Sequence, residues 1–119
     1  MDSKASRRLV TVAVVGLAVA GLFPAIRAMA AEQQPEPRQH TVTIDATSYS
    51  PKTLTVHVGD TVVWVNEDLF PHTVTARNGR FDSGDIATGK SWTYTVKADG
   101  LFAYFCTYHA TMKGTLRIR

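Results

Sequence analysis

The 119-residue sequence is poor in features that mark several common protein classes. It has a single cysteine, Cys106, which excludes an internal disulfide framework. Only 19% of its residues are charged, and the part after residue 40 has no stretch with the apolar spacing of a helix, which argues against a helical fold. Hydrophobic residues make up 45%, so wholesale disorder is also excluded. At this length the chain forms one small domain at most.

A surplus of basic residues is also missing from most of the chain, although the net charge is +3. Residues 31–119 contain nine basic and nine acidic residues and are therefore neutral. A neutral domain lacks the basic surface that attracts DNA or RNA, so no nucleic-acid partner is predicted. The excess lies in residues 1–30, which contain one acidic residue, Asp2, and four basic ones, Lys4, Arg7, Arg8 and Arg27.

Residues 1–30 have the three-part pattern of a secretory signal peptide. A basic start precedes 15 apolar residues at 9–23, and small residues at 28–30 permit cleavage after Ala30. The pattern therefore predicts an exported, periplasmic protein. A retained leader is the alternative, because its uncharged stretch of 18 residues approaches the roughly 20 residues of a membrane span. Only then would the membrane be a partner. Arg7 and Arg8 also match part of a twin-arginine export signal.

Residues 31–39 are polar, contain two prolines and are predicted to form a flexible linker. The predicted folded domain is 40–119. A domain of this size buries only about 60% of the surface of its unfolded chain. Without a disulfide, it is a candidate for stabilisation by a bound metal.

Residues 40–119 consist of short runs of alternating apolar and polar residues, separated by turn residues. Val62 and Trp64, for example, share one face of such a run. Seven or eight strands at this spacing, the last of them at 114–119, predict an all-β fold, an antiparallel Greek-key β-sandwich. Tyr104 has the same strand parity as Cys106, and we expect both side chains to point inward.

The stretch after Cys106 carries the clearest chemical signal. His109 and Met112 follow it by three and six residues, so a closing loop can turn a thiol, an imidazole and a thioether toward one point. Soft sulfur ligands combined with imidazole favour copper. A second imidazole could come from His72, near the start of a strand predicted at 71–76.

Each of these residues also has an ordinary explanation. A lone cysteine is most often a small buried hydrophobe, although an unpaired cysteine is unusual in an exported protein. Cys106 and His109 could form a nucleophile–base pair, but Met112 would then have no role. His40 and His57 have no comparable neighbours and are interpreted as solvated strand residues.

The chain resembles the cupredoxins, which are type 1 blue copper proteins. The resemblance covers residues 40–119, and the Cys-x-x-His-x-x-Met spacing is most similar to that of the amicyanins, with plastocyanins related to it. The matching segments are Tyr49-Ser50-Pro51, Val58-Gly59-Asp60-Thr61-Val62, Trp64-Val65-Asn66, Pro71-His72-Thr73-Val74, Phe81-Asp82-Ser83-Gly84, Gly100–Cys106 and Met112-Lys113-Gly114.

This resemblance implies a site for one copper ion. His72, Cys106 and His109 would be its strong ligands, and Met112 would be a weak axial ligand. Asn66 corresponds to an asparagine whose hydrogen bonds hold the cysteine and the two ligand loops together.

The resemblance also implies a surface patch that docks redox proteins. In this chain the patch would consist of Phe70, Pro71, Tyr108 and Ala110. Tyr108 and Ala110 stand where the amicyanins have prolines, so the ligand loop is expected to be less rigid.

The predicted function is a monomeric carrier of single electrons between redox proteins, such as a c-type cytochrome or a dehydrogenase, and not an enzyme. One alternative is a copper-trafficking module without redox turnover. A structural zinc domain is another, but Met112 argues against it because methionine is not a usual zinc ligand.

Overall fold

The computed structural model describes residues 11–21 and 35–119. Residues 11–21 contain no helix or strand, and no helix in the described ranges is long and apolar enough to cross a membrane. The predicted twin-arginine pair and the cleavage position after Ala30 lie outside the described residues. The compact unit that contains the predicted domain extends from Gln34 to Arg119.

The described part of this unit contains eight strands and no helix. They form two four-stranded sheets, in the orders β2-β1-β4-β6 and β3-β8-β7-β5. The strands are β1 (Gln39–Asp45), β2 (Ser48–Ser50), β3 (Thr53–Val56), β4 (Thr61–Asn66), β5 (Thr75–Ala76), β6 (Ser91–Thr95), β7 (Gly100–Cys106) and β8 (His109–Ile118). The all-β sandwich predicted from the alternating runs is therefore confirmed.

Both sheets are mixed, where the sequence led us to expect purely antiparallel sheets. β1 pairs with β4 in parallel, and β3 pairs with β8 in parallel. The remaining pairs are antiparallel. The difference arises because β3 crosses to the second sheet before the chain returns as β4 beside β1. Alternation of side chains is the same in parallel and antiparallel strands, so the pattern could not reveal the strand direction.

Two strand boundaries near the predicted ligands differ from expectation. The strand predicted at 71–76 is reduced to Thr75–Ala76, and His72 instead forms an isolated bridge with Ile86. The last strand begins at His109, five residues before the predicted start at Gly114. Both changes bring the ligand residues into direct backbone pairing with neighbouring segments.

The core lies between the sheets and extends to the end of β7. Trp64 from β4 and Tyr104 from β7 are both buried and meet edge to face, with ring centroids 5.6 Å apart. Gly114 on β8 leaves the space that the Tyr104 ring occupies, since a Cβ at this glycine would overlap the ring. Cys106 shares the inward parity of Tyr104 and is completely buried, as predicted.

Candidate metal centre

Three predicted ligands meet at one end of the second sheet. Cys106 is the last residue of β7, His109 is the first residue of β8, and the two pair across a tight turn. His72 reaches them from the connection between β4 and β5, where its backbone exchanges two hydrogen bonds with Ile86. Hydrogen bonds on both flanks of the site therefore fix the backbone that carries each ligand.

The ligand atoms are spaced as one metal ion requires. Cys106 Sγ lies 3.7 Å from His72 Nδ1 and 3.8 Å from His109 Nδ1, and all three atoms lie within 4.8 Å of one another. Metal bonds of about 2.0–2.1 Å to nitrogen and about 2.3 Å to sulfur place such atoms about 3.6–3.8 Å apart around one ion. One thiolate and two imidazoles are donors that suit both valences of copper.

Met112 lies on the inward side of β8 and is buried. The β7–β8 pairing is irregular there, because Phe105 pairs with Lys113 whereas Cys106 pairs with His109. Residues 110–112 are therefore left outside the regular register, as in a bulge that redirects a side chain. Met112 nevertheless keeps the inward alternation of β8, in which residues 112, 114, 116 and 118 are buried, and it belongs to the same buried cluster as Cys106. A thioether in this place suits a weak axial ligand of copper better than a zinc ligand.

Asp68 is a site residue that the sequence reasoning missed. One of its carboxylate oxygens lies 2.9 Å from His72 Nε2. The carboxylate also accepts hydrogen bonds from the backbone N–H groups of Thr47 and Leu69. The bond from Thr47, followed by that from His72, lowers the pKa of Asp68. The sequence does contain a sign of this contact, because Asp68 stands four residues before His72.

Thr73 was also missed, although it connects the two ligand segments. Its N–H points at Cys106 Sγ at 3.4 Å, and its hydroxyl accepts a hydrogen bond from the Thr107 N–H at 2.9 Å. Its carbonyl accepts a bond from the hydroxyl of Tyr49, whose pKa is raised, chiefly by burial. Bonds between residues this far apart in the chain leave no trace in sequence spacing.

Asn66 holds one side of the site but does not bond to the cysteine loop. Its amide group donates to the carbonyls of Phe70 and Ile86, and its carbonyl accepts the N–H of Asp68. In residues 35–119 its side chain makes no hydrogen bond to Cys106 or Thr107. Thr73 makes that connection in this protein.

The four residues of the predicted docking patch are all exposed. Leu69, which was not predicted, is exposed beside them, at 82%. In sequence these residues lie next to the two histidine ligands, whose ring centroids are 5.1 Å apart. Tyr108 also donates a hydrogen bond of 2.6 Å to Asp85, and this bond raises the pKa of Tyr108.

The interpretation of His40 as a solvated residue was wrong, whereas His57 is exposed as expected. His40 is partly buried, and its Nε2 lies 2.8 Å from the carboxylate of Asp60. Neither histidine belongs to the metal cluster. The carboxylate that pairs with His40 could not be inferred because it lies 20 residues away in the sequence.

A β-sandwich that brings a buried thiol and two imidazoles to metal-binding distance, with a methionine in the same buried cluster, defines a mononuclear copper protein. The chain belongs to the cupredoxin-like domain family, whose model matches residues 12–118. Its centre is accordingly a site for one copper ion.

Individual relatives agree with this assignment. Plastocyanin from Scenedesmus fuscus is 32% identical over 84 residues, an alignment that covers 60% of this chain and 86% of that protein. Amicyanin from Paracoccus versutus is 31% identical over 78 residues, which is 61% of this chain and 59% of amicyanin. A solved purple cupredoxin from Nitrosopumilus maritimus superposes with a TM-score of 0.61 at 28% identity, over 67% of this chain and 99% of that one.

Proposed function

We propose that the protein is a type 1 blue copper carrier of single electrons, with His72, Cys106, His109 and Met112 as the metal ligands. The observation that carries this proposal is the triangle formed by Cys106 Sγ and the two Nδ1 atoms. A bound copper ion supplies a one-electron couple between Cu(I) and Cu(II), and these donors are acceptable to both valences.

The surroundings of the ligands favour electron transfer because they resist movement. His72 and Cys106 are completely buried, and Thr73 bonds to the segments on both sides of the site. A ligand set that keeps its positions when the charge of the site changes needs little reorganisation, so the transfer of an electron is fast.

Burial of the thiol also argues against copper trafficking as the main role. Passing an ion to a partner requires that the incoming ligand displaces a donor of the carrier. Cys106 has no exposed surface, so a partner thiol cannot reach it without opening the sandwich. An electron can leave the same site without any ligand becoming accessible.

We propose that electrons enter and leave near His109, which is half-buried whereas His72 is not exposed at all. The docking patch of Phe70, Pro71, Tyr108 and Ala110 would contact the partner there. A small apolar surface supports short-lived complexes of the kind that electron carriers form. The partners would be redox proteins such as a c-type cytochrome or a dehydrogenase, and the carrier would act as a monomer.

The site of action would be the periplasm. This part of the proposal depends on the signal-peptide pattern of residues 1–30, with cleavage after Ala30 and a linker at 31–39. Mass spectrometry of the exported protein tests it, because cleavage predicts a chain that begins at residue 31.

The visible absorption spectrum of the copper-loaded protein tests the copper site. We expect an intense blue colour from charge transfer between the Cys106 thiolate and Cu(II). Cys106→Ser should abolish the colour because a hydroxyl is a poor electron donor to copper. His57→Ala is the matched control, because His57 is exposed and belongs to no ligand segment, and it should stay blue.

Three results would overturn the proposal. Copper-loaded protein without colour would exclude a type 1 site. Zinc rather than copper in protein purified without added metal would favour a structural role. Slow electron exchange with a c-type cytochrome, combined with tight copper binding, would favour trafficking.

A further inference from the structure

Both ring nitrogens of His72 are engaged, each by a different kind of group. Nδ1 faces the sulfur of Cys106 at 3.7 Å. Nε2 lies 2.9 Å from a carboxylate oxygen of Asp68. An ionised carboxylate only accepts hydrogen bonds, so the proton of the neutral ring resides on Nε2. The lone pair of Nδ1 is then directed at the position where the ligand atoms converge.

Asp68 is itself held from two sides. The Thr47 N–H, in the turn between β1 and β2, donates to the same carboxylate oxygen that faces His72, at 2.9 Å. The Leu69 N–H donates to the other oxygen at 2.8 Å. The backbone N–H of Asp68 donates to the buried side chain of Asn66. The carboxylate is therefore a fixed part of the structure and not a mobile surface charge.

The second histidine ligand has no such support. His109 Nδ1 faces Cys106 Sγ at 3.8 Å, but within residues 35–119 its other ring nitrogen has no hydrogen-bond partner. His109 is half-exposed, whereas His72 is completely buried. The two imidazoles of the site thus differ in how firmly the protein holds them.

We propose that Asp68 is a positioning residue of the copper site. It acts through His72, whose ring it orients and whose Nδ1 it makes a stronger donor, because a carboxylate that accepts the Nε2–H raises the basicity of the ring. A stronger donor stabilises Cu(II) more than Cu(I), so Asp68 lowers the reduction potential. This inference deepens the proposed function and rests on the same four ligands.

The reduction potential of copper-loaded Asp68→Asn tests the inference. Loss of an outer partner of a metal-bound histidine typically weakens metal binding by 10–100-fold. We expect the affinity for Cu(II) relative to Cu(I) to fall about tenfold, which raises the one-electron potential by about 59 mV. Glu67→Gln is the matched control, because it removes the same charge from an exposed neighbour that makes no hydrogen bond to His72, and its shift should be less than half as large.

Proton exchange at His72 provides a second test in the unmodified chain. In zinc-substituted protein, NMR should show that the His72 Nε2–H exchanges with water at least tenfold more slowly than the Nε2–H of His109. Equal exchange rates would overturn the inference, as would equal potential shifts in Asp68→Asn and Glu67→Gln. This measurement does not depend on whether Asp68→Asn folds.

The two proposals fail in different ways. A colourless copper protein with slow exchange at His72 would contradict the electron-carrier function and leave the positioning role of Asp68 intact. A blue protein with fast exchange at His72 would contradict the role of Asp68 and leave the electron-carrier function intact.

Discussion

Asn66 connects the end of a core strand to both segments that surround His72. Its fully buried side chain makes three hydrogen bonds, to the carbonyls of Phe70 and Ile86 and to the N–H of Asp68. These bonds supply hydrogen-bond partners to backbone groups of the loop that would otherwise be left unpaired. Asn66 therefore fixes the path of the chain just before His72.

Replacing Asn66 by alanine should reduce both stability and copper binding. Three buried bonds are lost and their partners are left unsatisfied, so the free energy of unfolding should fall by about 2–4 kcal/mol. Urea denaturation of the copper-loaded protein measures this change. Asn78→Ala is the control, because Asn78 lies in an exposed turn and makes one local bond, to Arg80. Equal losses in the two variants would contradict the role assigned to Asn66.

The residues of the site were predictable to different degrees. Cys106, His109 and Met112 form a motif whose spacing and chemistry are visible in the sequence, and His72 followed from a matching segment. Asp68 and Thr73 were not predicted, because their roles depend on bonds between segments that only the fold brings together. A carboxylate near a histidine in sequence has many possible partners, and spacing alone does not choose among them.

The turn between β7 and β8 joins two of the proposed ligands. Cys106 and His109 pair directly across it, so two residues, Thr107 and Tyr108, complete the turn. The sequence predicted a closing loop that carries the ligands from Cys106 to Met112. In the structure residues 110–112 instead lie in β8, although without regular partners.

Tyr108 stabilises this turn from the surface. Its hydroxyl donates to Asp85, one residue before the Ile86 that pairs with His72. The bond therefore joins this turn, at the protein surface, to the segment that pairs with His72. The looser ligand loop inferred from the absence of prolines stays a prediction. The bond to Asp85 is a restraint that acts against such loosening.

Removing the hydroxyl with Tyr108→Phe should loosen the turn without unfolding the protein. Because this bond is exposed, we assign it the contribution of an ordinary hydrogen bond, about 0.5–1.5 kcal/mol. We therefore expect the backbone amides of residues 107–110 to exchange hydrogen about two- to tenfold faster. Hydrogen exchange measured by NMR on the reduced protein resolves these amides. Tyr94→Phe is the control, because within residues 35–119 the Tyr94 hydroxyl makes no hydrogen bond, and its exchange pattern at 107–110 should not change. Unaltered exchange in Tyr108→Phe would show that the bond does not restrain the turn.

The sandwich as a whole separates the copper site from a second polar cluster, which consists of Asp60 and the hydrogen-bond partners of its carboxylate. β4 starts at Thr61, next to Asp60, and ends at Asn66 beside the site, which puts about 20 Å of strand between them. The alternating pattern predicted this strand and its inward face correctly. It could not indicate which strands would become neighbours, because that choice is made by packing of the two sheets across the core.

Asp60 closes the end of the sandwich that is remote from copper. It is almost fully buried and accepts hydrogen bonds from the backbone of Arg38 and His57 and from the ring of His40. The two backbone bonds, more than His40, lower the pKa of Asp60 to about 2. In the unfolded chain this carboxyl titrates near pH 3.9. Its contribution to stability is therefore complete above about pH 4 and is lost as the pH falls toward 2.

Asp60→Asn should therefore destabilise the molecule in a pH-dependent way while leaving the copper site unchanged. The variant loses charge-assisted bonds, so at pH 7 we expect the free energy of unfolding to fall by about 1–3 kcal/mol. Denaturation of both proteins at several pH values should show that the difference in their free energies of unfolding shrinks between about pH 4 and 2. Bound copper stabilises both proteins alike, so its contribution largely cancels in this difference. Asp99→Asn, an exposed control, should show almost no difference at any pH.

The colour and reduction potential of Asp60→Asn should equal those of the unmodified protein, because the hydrogen-bond partners of the Asp60 carboxylate are Arg38, His40 and His57 and none of them is a proposed ligand. A changed potential would mean that the two ends of the sandwich are coupled through the core.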